Sequence, residues 1–284
     1  MSKPSTDARS AGFLGFAMGC TLLALLLLAG FFASWIAPHA PQEQYLSKRL
    51  SGPSKEFPLG TDSLGRCVAS RLLYGIKPTI GLAGAITVGC LLVGVTVGLA
   101  AVLVRGMDGF LMRTTDCFFS FPTMVLVLVI VGILGPSPGS IALALILPGW
   151  PKYARVVRNS ALSISQRTFV EATRAIGAGR WYLIRRCYLP NLLEPIGAIA
   201  TIGMGQRIVS IAGLGMLGLG VPPPTPEWGG MLQKGLTVLP IAPHIALSAG
   251  GAIVLATLAF TLVGDGLRDV LSPGRPAGEE LWLR

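Results

Sequence analysis

A short polar stretch at residues 167–190 carries the side chains best suited to recognition chemistry. Glu171 lies near the start of a predicted helix over residues 169–176, where the helix dipole favours a carboxylate. A carboxylate in that position can form charge-assisted hydrogen bonds with an Arg side chain or with backbone N–H groups of another protein. Gly177 follows, and because Gly is favoured just past a helix end, it predicts a sharp turn at residues 177–179.

A second short helix is expected after that turn, at residues 180–187. Pro190 predicts its end, since a proline and the residue before it disfavour a continuing helix. Two short helices at an angle form a rigid projection that can fit a cleft in a partner and transmit a rigid-body motion. The alternative is an amphipathic helix lying on anionic lipid, with Trp181 and Tyr182 at the level of the headgroups. Composition alone leaves both interpretations open.

The elements that must position this stretch are strongly apolar. Of the 284 residues, 52% are hydrophobic and 13% are charged, whereas a typical soluble domain has about 25% charged residues. So few charges cannot cover a globular surface of this size, and lipid is therefore expected to contact most of it. The 37 Gly and 21 Pro residues agree, because membrane helices tolerate both types. The composition predicts an all-α integral membrane protein.

Uncharged runs locate the membrane crossings, because about 20 apolar residues span the hydrocarbon core. The long run between residues 116 and 152 is interrupted by the turn composition GPSPG and is interpreted as a hairpin of two helices. The sequence thus predicts about six transmembrane helices. They are expected at residues 12–37, 77–105, 117–134, 140–158, 192–217 and 243–265.

The charges of the loops predict the orientation. Most Lys and Arg residues fall on one side of the predicted crossings, and the positive-inside rule assigns that side, with both termini, to the cytoplasm. The chain then divides into an N-terminal tail with the first helix (1–37), an external loop (38–76) and a core with five helices (77–284). A cytoplasmic loop within the core covers residues 159–190. The first external loop is an exception to the rule, because it is itself basic.

Gln206 and Arg207 fall in the middle of the fifth predicted crossing. A charge there costs roughly 2.5–3.5 kcal/mol on insertion scales and tends to face a cavity or a partner. In one interpretation these residues line a solute pathway and Arg207 meets solute carboxylates. In the other, Arg207 packs against another subunit, or it snorkels to the membrane surface if the helix starts later than predicted. Three basic residues at the end of the fourth predicted crossing are interpreted as contacts to lipid phosphate. These are Lys152, Arg155 and Arg158.

Several other classes of function find no support. The five Cys residues show neither zinc-site spacing nor a disulfide framework, and His39 and His244 are far apart in the sequence. No metal site, cofactor or catalytic residue is therefore expected, and the chain is not predicted to be an enzyme. The basic residues lie in short loops between apolar runs instead of forming a reading face, so nucleic acid is not expected as a partner.

The 167–190 stretch resembles a loop of known permeases. In permeases of binding-protein-dependent ABC importers, the EAA loop has Glu-Ala-Ala, a Gly six residues after the Glu, and an Ile-x-Leu-Pro ending. This chain departs at Thr173, where the family prefers Ala, and at Cys187, where it prefers Ile; both changes keep a small or apolar character. The resemblance implies that the matching residues dock an ATPase. They are Glu171, Ala172, Gly177, Leu189 and Pro190.

Further motifs extend the resemblance over nearly the whole chain. Residues 57–66, FPLGTDSLGR, are similar to a motif after the first helix in the dipeptide, oligopeptide and nickel permease subfamily, although Cys67 stands where that subfamily usually has Asp. Residues 217–220, 223–229 and 264–269 match its C-terminal half. The chain therefore resembles the second of the two permease subunits in such systems. The 57–66 motif is expected either to contact the delivery protein or to brace the external face.

The resemblance implies a type I ABC importer permease fold in the bacterial inner membrane and a division of labour. Two homologous permeases form the pathway, two cytoplasmic ATPases drive transport, and an external solute-binding protein delivers the solute. The sequence contains no G-x-x-x-x-G-K-[ST] phosphate loop, which agrees with ATP hydrolysis by partner subunits. Relatives carry short peptides, nickel or metal chelates, and all of these remain candidate solutes.

A stand-alone channel or an ion-coupled secondary transporter is the alternative hypothesis. An ion-driven carrier usually holds acidic residues inside its crossings for the coupling ion. The sequence places no acidic residue well inside a predicted crossing. The importer is therefore the main hypothesis.

Overall fold

A computed structural model describes the backbone of residues 6–271 and the side chains of residues 13–269. In this part of the chain the predicted all-α class is confirmed: beside the helices there is one isolated β-bridge, between Thr61 and Cys67. A 3₁₀ turn covers Leu46–Lys48, and a π-helical turn covers Ile184–Tyr188. The α-helices α1 to α12 are, in order, Thr6–Phe31, Ala33–Ile36, Val68–Leu103, Asp108–Ser120, Thr123–Leu134, Pro138–Ile146, Trp150–Ser165, Thr168–Ala175, Arg180–Leu183, Leu189–Met216, Trp228–Thr237 and Pro243–Leu271.

Four helical segments among the described residues have the length and apolar composition to cross a membrane. They correspond to the predicted first, second, fifth and sixth crossings. The second begins earlier than the predicted residue 77, because its first turns hold Arg71 and Lys77 and a boundary drawn at charges excludes them. The apolar spans are Phe13–Phe31, Val68–Leu103, Arg180–Met216 and Pro243–Asp269.

The third predicted crossing, residues 117–134, is not one straight helix. α4 and α5 meet at Phe121 and Pro122 with a bend of 82°. A proline disfavours helical backbone for the residue before it, and Phe121 is extended, with φ −94° and ψ 135°. The prediction of a continuous helix is therefore wrong at this point. The two helices together are apolar enough to form a fifth, broken span.

The fourth predicted crossing, residues 140–158, is divided between α6 and α7 by a turn at residues 147–149. With 9 and 16 residues, each half is shorter than a membrane crossing requires. A Cβ atom on Gly149 would lie 2.7 Å from the Cys90 sulfur and closer still to the Arg207 guanidinium. The turn thus brings the backbone of α7 against α3 and α10.

The hairpin between α5 and α6 forms where the sequence predicts it. Gly135 ends α5 with φ +77°, a conformation that glycine adopts without strain. Ser137 then caps α6: its hydroxyl accepts from the Ser140 backbone N–H at 3.1 Å, and the Ser140 hydroxyl accepts from the Ser137 N–H at 2.9 Å. The predicted turn is confirmed.

Small residues let the central helices approach closely. α3 packs along α7, and a Cβ atom on Gly94 would lie 3.0 Å from the Ala154 nitrogen, while one on Gly98 would lie 2.7 Å from the Ala154 oxygen. α12 packs against both α1 and α10, and Gly264 lies similarly against Ile202. In a membrane, where lipid is as apolar as the helices, such close contact is a main source of helix association.

Candidate functional site

The 159–190 segment folds as predicted up to its central turn. Gly177 follows α8 with φ +85°. Its N–H donates to the Arg174 carbonyl at 2.9 Å, and the Ala178 N–H donates to the Thr173 carbonyl at 3.3 Å. These two bonds form a Schellman motif, which needs a left-handed residue at the position of Gly177. The predicted turn is confirmed.

The second half of the segment differs from the prediction. Instead of ending before Pro190, α9 passes through the π-helical turn into α10, so that one helical span covers Arg180–Met216. The Leu189 N–H donates to the Ile184 carbonyl, five residues back. This wider turn leaves room for the proline ring, which lies in the first turn of α10 where its missing N–H costs little. The predicted helix end before Pro190 is therefore wrong.

One face of this segment packs against the helices beside it. Val170 of α8, Tyr188 of the π-helical turn and Leu192 of α10 are fully buried in a common apolar cluster. Arg174 Nη2 also donates a 2.7 Å hydrogen bond to the Tyr188 hydroxyl. Through this cluster α8 packs against α3 and α7 as well as α10. The α3 and α7 members of the cluster are Leu99, Val157, Ala161 and Ile164.

The opposite face is exposed and carries the residues singled out by the motif. The Glu171 carboxylate forms no hydrogen bond or ion pair with any residue that the structure describes. Such an unpaired carboxylate beside a helix can accept hydrogen bonds from another protein. All five motif residues are exposed: Glu171, Ala172, Gly177, Leu189 and Pro190.

Large apolar side chains share this exposed region. Ile176 is 84% exposed, Trp181 72% and Tyr182 54%. Phe169 is 43% exposed, while its neighbour Val170 is buried. An exposed apolar patch of this kind marks a surface that binds protein or lipid. The motif does not single out Phe169 and Ile176; their sequence signal is their place on a different helix face from Val170.

A second group of polar side chains lies between α7 and the apolar span that contains α10. Lys152 Nζ donates to Gln206 Oε1 at 3.3 Å, and Arg207 Nη2 lies 3.5 Å from the Cys90 sulfur. Arg207 Nε is buried without a hydrogen-bond partner among the described residues. The structure thus places a third residue, Lys152, beside the two predicted pathway residues, and its contact to lipid phosphate stays a prediction.

The other two basic residues of α7, Arg155 and Arg158, form ion pairs with acidic residues of the same chain. Arg158 forms a bidentate ion pair with Asp108 at the start of α4, with both N–O distances 2.5 Å. Arg155 pairs with Asp116 and lies 4.3 Å above the ring of Phe119. Planar guanidinium groups suit both contacts. The two ion pairs join α7 to α4, and a further contact to lipid phosphate stays a prediction.

The 57–66 motif is built into the protein. Phe57 and Arg66 are 2% and 4% exposed, and Arg66 Nη2 lies 2.6 Å from Asp62 Oδ2. Gly65 has φ +75°, and a Cβ atom there would collide with the Tyr45 carbonyl. These contacts support the bracing interpretation of the motif. Among the described residues no group of three His, Cys, Asp or Glu side chains is arranged to hold a metal ion.

Comparison with protein families gives one match that covers most of the chain. Residues 90–275 match the family described as binding-protein-dependent transport system inner membrane component. This range includes the 159–190 segment and the polar group at Gln206 and Arg207. The family confirms the importer hypothesis over a stand-alone channel or an ion-coupled carrier. Its members are membrane components of transport systems and not catalytic subunits.

Curated relatives agree over nearly the full length. The glutathione transport system permease protein GsiD of Pectobacterium atrosepticum is 39% identical over 263 residues, which cover 90% of this chain and 86% of that protein. The protein of the same name from Escherichia coli O6:K15:H31 is 39% identical over 255 residues, covering 88% and 83%. This chain is similar to both.

Solved structures agree on the fold. An inward facing structure of the MetNI methionine ABC transporter matches with a TM-score of 0.59, over 71% of this chain and 96% of that chain, at 19% identity. A second crystal form of the same transporter gives a TM-score of 0.58 at 21% identity. At such identity the likeness concerns the fold alone, and it confirms the predicted type I ABC importer permease fold. Together with the apolar spans and the exposed motif, these matches establish that the chain belongs to the family of binding-protein-dependent transport system inner membrane components, the permease subunits of ABC importers in the inner membrane of bacteria.

Proposed function

We propose that this chain forms half of the membrane pathway of an ATP-driven importer for short anionic peptides. A second, homologous permease forms the other half, two cytoplasmic ATPases drive the cycle, and an external solute-binding protein delivers the solute. One observation carries the proposal: the exposed motif face runs from α8 and its turn into a helical span, Arg180–Met216, which holds Leu189 and Pro190 and continues without a break past Arg207.

The motif face docks the ATPase. Glu171 accepts hydrogen bonds from Arg side chains or backbone N–H groups of the ATPase cleft, while Ala172 and Gly177 allow close approach. Ile176 and Trp181 supply apolar area that the cleft removes from water. Leu189 and Pro190 lie at the start of α10, where the docked segment joins the membrane helix. Truncating one partner of a buried, hydrogen-bonded charge pair typically costs about 2–5 kcal/mol, so Glu171 dominates the contact.

The same geometry supports a route for coupling. α8 is joined to the π-helical turn by the Arg174–Tyr188 hydrogen bond and by the apolar cluster around Val170. A rigid-body shift of the docked segment therefore moves the lower end of α10, and α10 carries the shift toward Gln206 and Arg207. Packed elements of this kind move as units and do not deform continuously. Closure of the ATPases thereby alternates the access of the pathway.

The orientation follows the loop charges. Both termini and the 159–190 segment lie in the cytoplasm, and residues 38–76 lie outside. In this topology the chain consists of an N-terminal tail with the first helix (1–37), an external segment (38–76) whose last residues form the first turns of α3, and a core permease domain (77–284). The basic external segment is compatible with this orientation, because two of its positive charges, Arg66 and Arg71, are buried beside Asp62.

The polar group on α7 and α10 favours an anionic solute. Lys152 and Arg207 bring two positive charges together, and neither forms an ion pair with an acidic residue in the described part of the chain. A free metal cation such as nickel is repelled there, whereas the carboxylates of a peptide are attracted. The relatives that are 39% identical are named as glutathione permeases. Glutathione is accordingly the first solute to test.

Transport by the whole reconstituted complex tests the proposal. The chain, its partner permease and both ATPases are placed in proteoliposomes with ATP at the ATPase side and the binding protein at the other. We expect labelled glutathione to enter only with ATP and binding protein together. Uptake driven by an ion gradient in the absence of ATP would support a carrier and contradict the proposal. Nickel uptake in place of glutathione uptake would overturn the solute class.

A further inference from the structure

A polar cavity lies between the first external loop and α11. It is separate from the polar group that Lys152, Gln206 and Arg207 form on α7 and α10. Its volume is about 230 Å³. Glycine and proline backbone from residues 215–223 closes one side. Charged and polar side chains line the other: Asp62, Arg66, Arg71, Glu227, Gln233 and Lys234. Neither the 57–66 motif nor the proposed docking surface explains why three cations gather here.

Asp62, the first acidic residue of the cavity, has partners within the chain for both carboxylate oxygens. Asp62 Oδ1 accepts backbone N–H groups from Leu64 at 2.8 Å and from Arg66 at 3.0 Å. Its Oδ2 atom lies 2.6 Å from Arg66 Nη2 and 3.8 Å from Arg71 Nε. One carboxylate therefore faces two guanidinium groups and neutralises one charge of the two.

The second acid caps a helix. Glu227 is 2% exposed, and its two oxygens accept the N–H groups of Gly229 at 2.7 Å and Gly230 at 2.9 Å at the start of α11. Burial raises the pKa of Glu227, and these two bonds oppose that rise. These bonds favour the ionised carboxylate, which offsets a second positive charge, so that one net positive charge is left among Asp62, Arg66, Arg71, Glu227 and Lys234.

Lys234 is the cation without a partner. The structure records no hydrogen bond or ion pair from its ammonium group to any described residue, although the residue is only partly exposed. Burial lowers the pKa of Lys234, and the nearby Arg66 and Arg71 lower it further, while Asp62 opposes them. A partly buried ammonium beside two guanidinium groups is stabilised by an anion that enters the cavity.

We propose that this cavity binds a carboxylate group of the incoming solute, at the external end of the pathway. The proposal rests on the proposed function and extends it to a second anion site on the same chain. The volume suits one end of a peptide, since pockets for whole ligands measure about 300–1,000 Å³. Arg66 and Arg71 are each 4% exposed, so they are recessed from the protein surface and within reach of a small group entering the cavity.

The charge of the cavity can be measured without transport. A Gln233→Cys reporter is made in a background in which the exposed Cys117 is replaced by Ser, in the full complex. Its reaction rate with an anionic methanethiosulfonate is divided by that with a cationic one. Ile241→Cys, 74% exposed and outside the cavity, is the control. We expect the ratio at residue 233 to exceed the control ratio on the order of tenfold, as one net charge nearby implies.

Two further measurements test the role of Lys234 and whether the carboxylate comes from the solute or from the binding protein. Adding Lys234→Gln should bring the ratio at residue 233 down toward the control value, and succinate should slow the reporter reaction more than chloride at equal ionic strength. Equal ratios at both reporters would overturn the anion site. Protection by the purified binding protein alone, and not by succinate, would assign the cavity to that protein and overturn the solute assignment. Because these rates need no uptake, their failure is distinct from failure of the importer proposal.

Discussion

Arg174 donates a 2.7 Å hydrogen bond from Nη2 to the buried hydroxyl of Tyr188, and this bond joins the first short helix of the docking segment to the base of α10. The two residues lie on either side of the Gly177 turn. The bond thus fixes the angle between α8 and the π-helical turn, while the apolar cluster around Val170 fixes their distance. Coupling in the proposed importer depends on that rigidity.

Tyr188→Phe removes this bond and keeps the apolar ring. We expect a loss of about 1 kcal/mol in local stability, as for a typical hydrogen bond. Uptake per ATP hydrolysed should fall while the ATPase remains bound, because the docking face is intact. The control is Tyr74→Phe, whose hydroxyl has no hydrogen bond to another described residue. Unchanged coupling in Tyr188→Phe would show that the packing alone transmits the motion.

Gly177 and Gly179 provide a matched pair for the turn. A Cβ atom at either position meets nothing within 4 Å, but Gly177 has φ +85° whereas Gly179, at φ −68°, is compatible with any residue. Gly177→Ala should therefore cost about 1 kcal/mol or more and misplace α9, while Gly179→Ala should be nearly neutral. Limited proteolysis of the purified complex and uptake measure the difference. Equal behaviour of the two variants would argue against a strict need for the turn.

Arg207→Ala tests the pathway assignment of the α7–α10 group. The variant loses one of the two charges there, so we expect the KM for glutathione uptake to rise several-fold, while the ATPase and the partner permease still co-purify. Arg207→Lys keeps the charge and should recover part of the affinity. If instead the complex falls apart with Arg207→Ala, the residue packs against the partner permease and does not meet solute.

Cysteine labelling tests the orientation. Cysteines replacing the exposed Ser54 and Ile241 should react with a membrane-impermeant maleimide in spheroplasts, and a cysteine at Ile176 should react only after the membrane is opened. The expectation follows from the excess of positive charge on the side of the 159–190 segment. Labelling of residue 176 alone in intact spheroplasts would invert the topology.

Local chemistry made parts of this structure predictable. The turn at Gly177 and the cap at Ser137 follow from a few adjacent residues, since glycine after a helix and serine before one satisfy the free backbone groups. The long apolar helices follow from length and composition. The bend at Pro122 also had a local signal in the proline itself, but an uncharged run does not distinguish one straight helix from two short ones.

Other features depend on contacts between distant segments. Arg158 pairs with Asp108, fifty positions away, and Lys152 on α7 donates a hydrogen bond to Gln206 on α10. Sequence spacing alone therefore favoured lipid phosphate for these basic residues. At Pro190 a local signal is present but misleading. A proline favours a helix end, yet the π-helical turn before it accommodates the ring and the helix continues.

Glu171→Lys shows whether the exposed motif face docks the ATPase. Uptake of glutathione, ATPase activity and co-purification of the ATPase are measured together for this variant and for Ser163→Lys, which adds the same charge at an exposed site on α7. Both proteins should insert in the membrane. In Glu171→Lys, however, a cation faces the Arg side chains or N–H groups of the ATPase cleft that would otherwise bind a carboxylate. We expect Glu171→Lys to lose uptake and either to release the ATPase or to hydrolyse ATP without transport, and we expect Ser163→Lys to behave as the unchanged protein. Normal uptake with the ATPase bound to Glu171→Lys would contradict this docking and leave the segment as an interfacial helix on lipid.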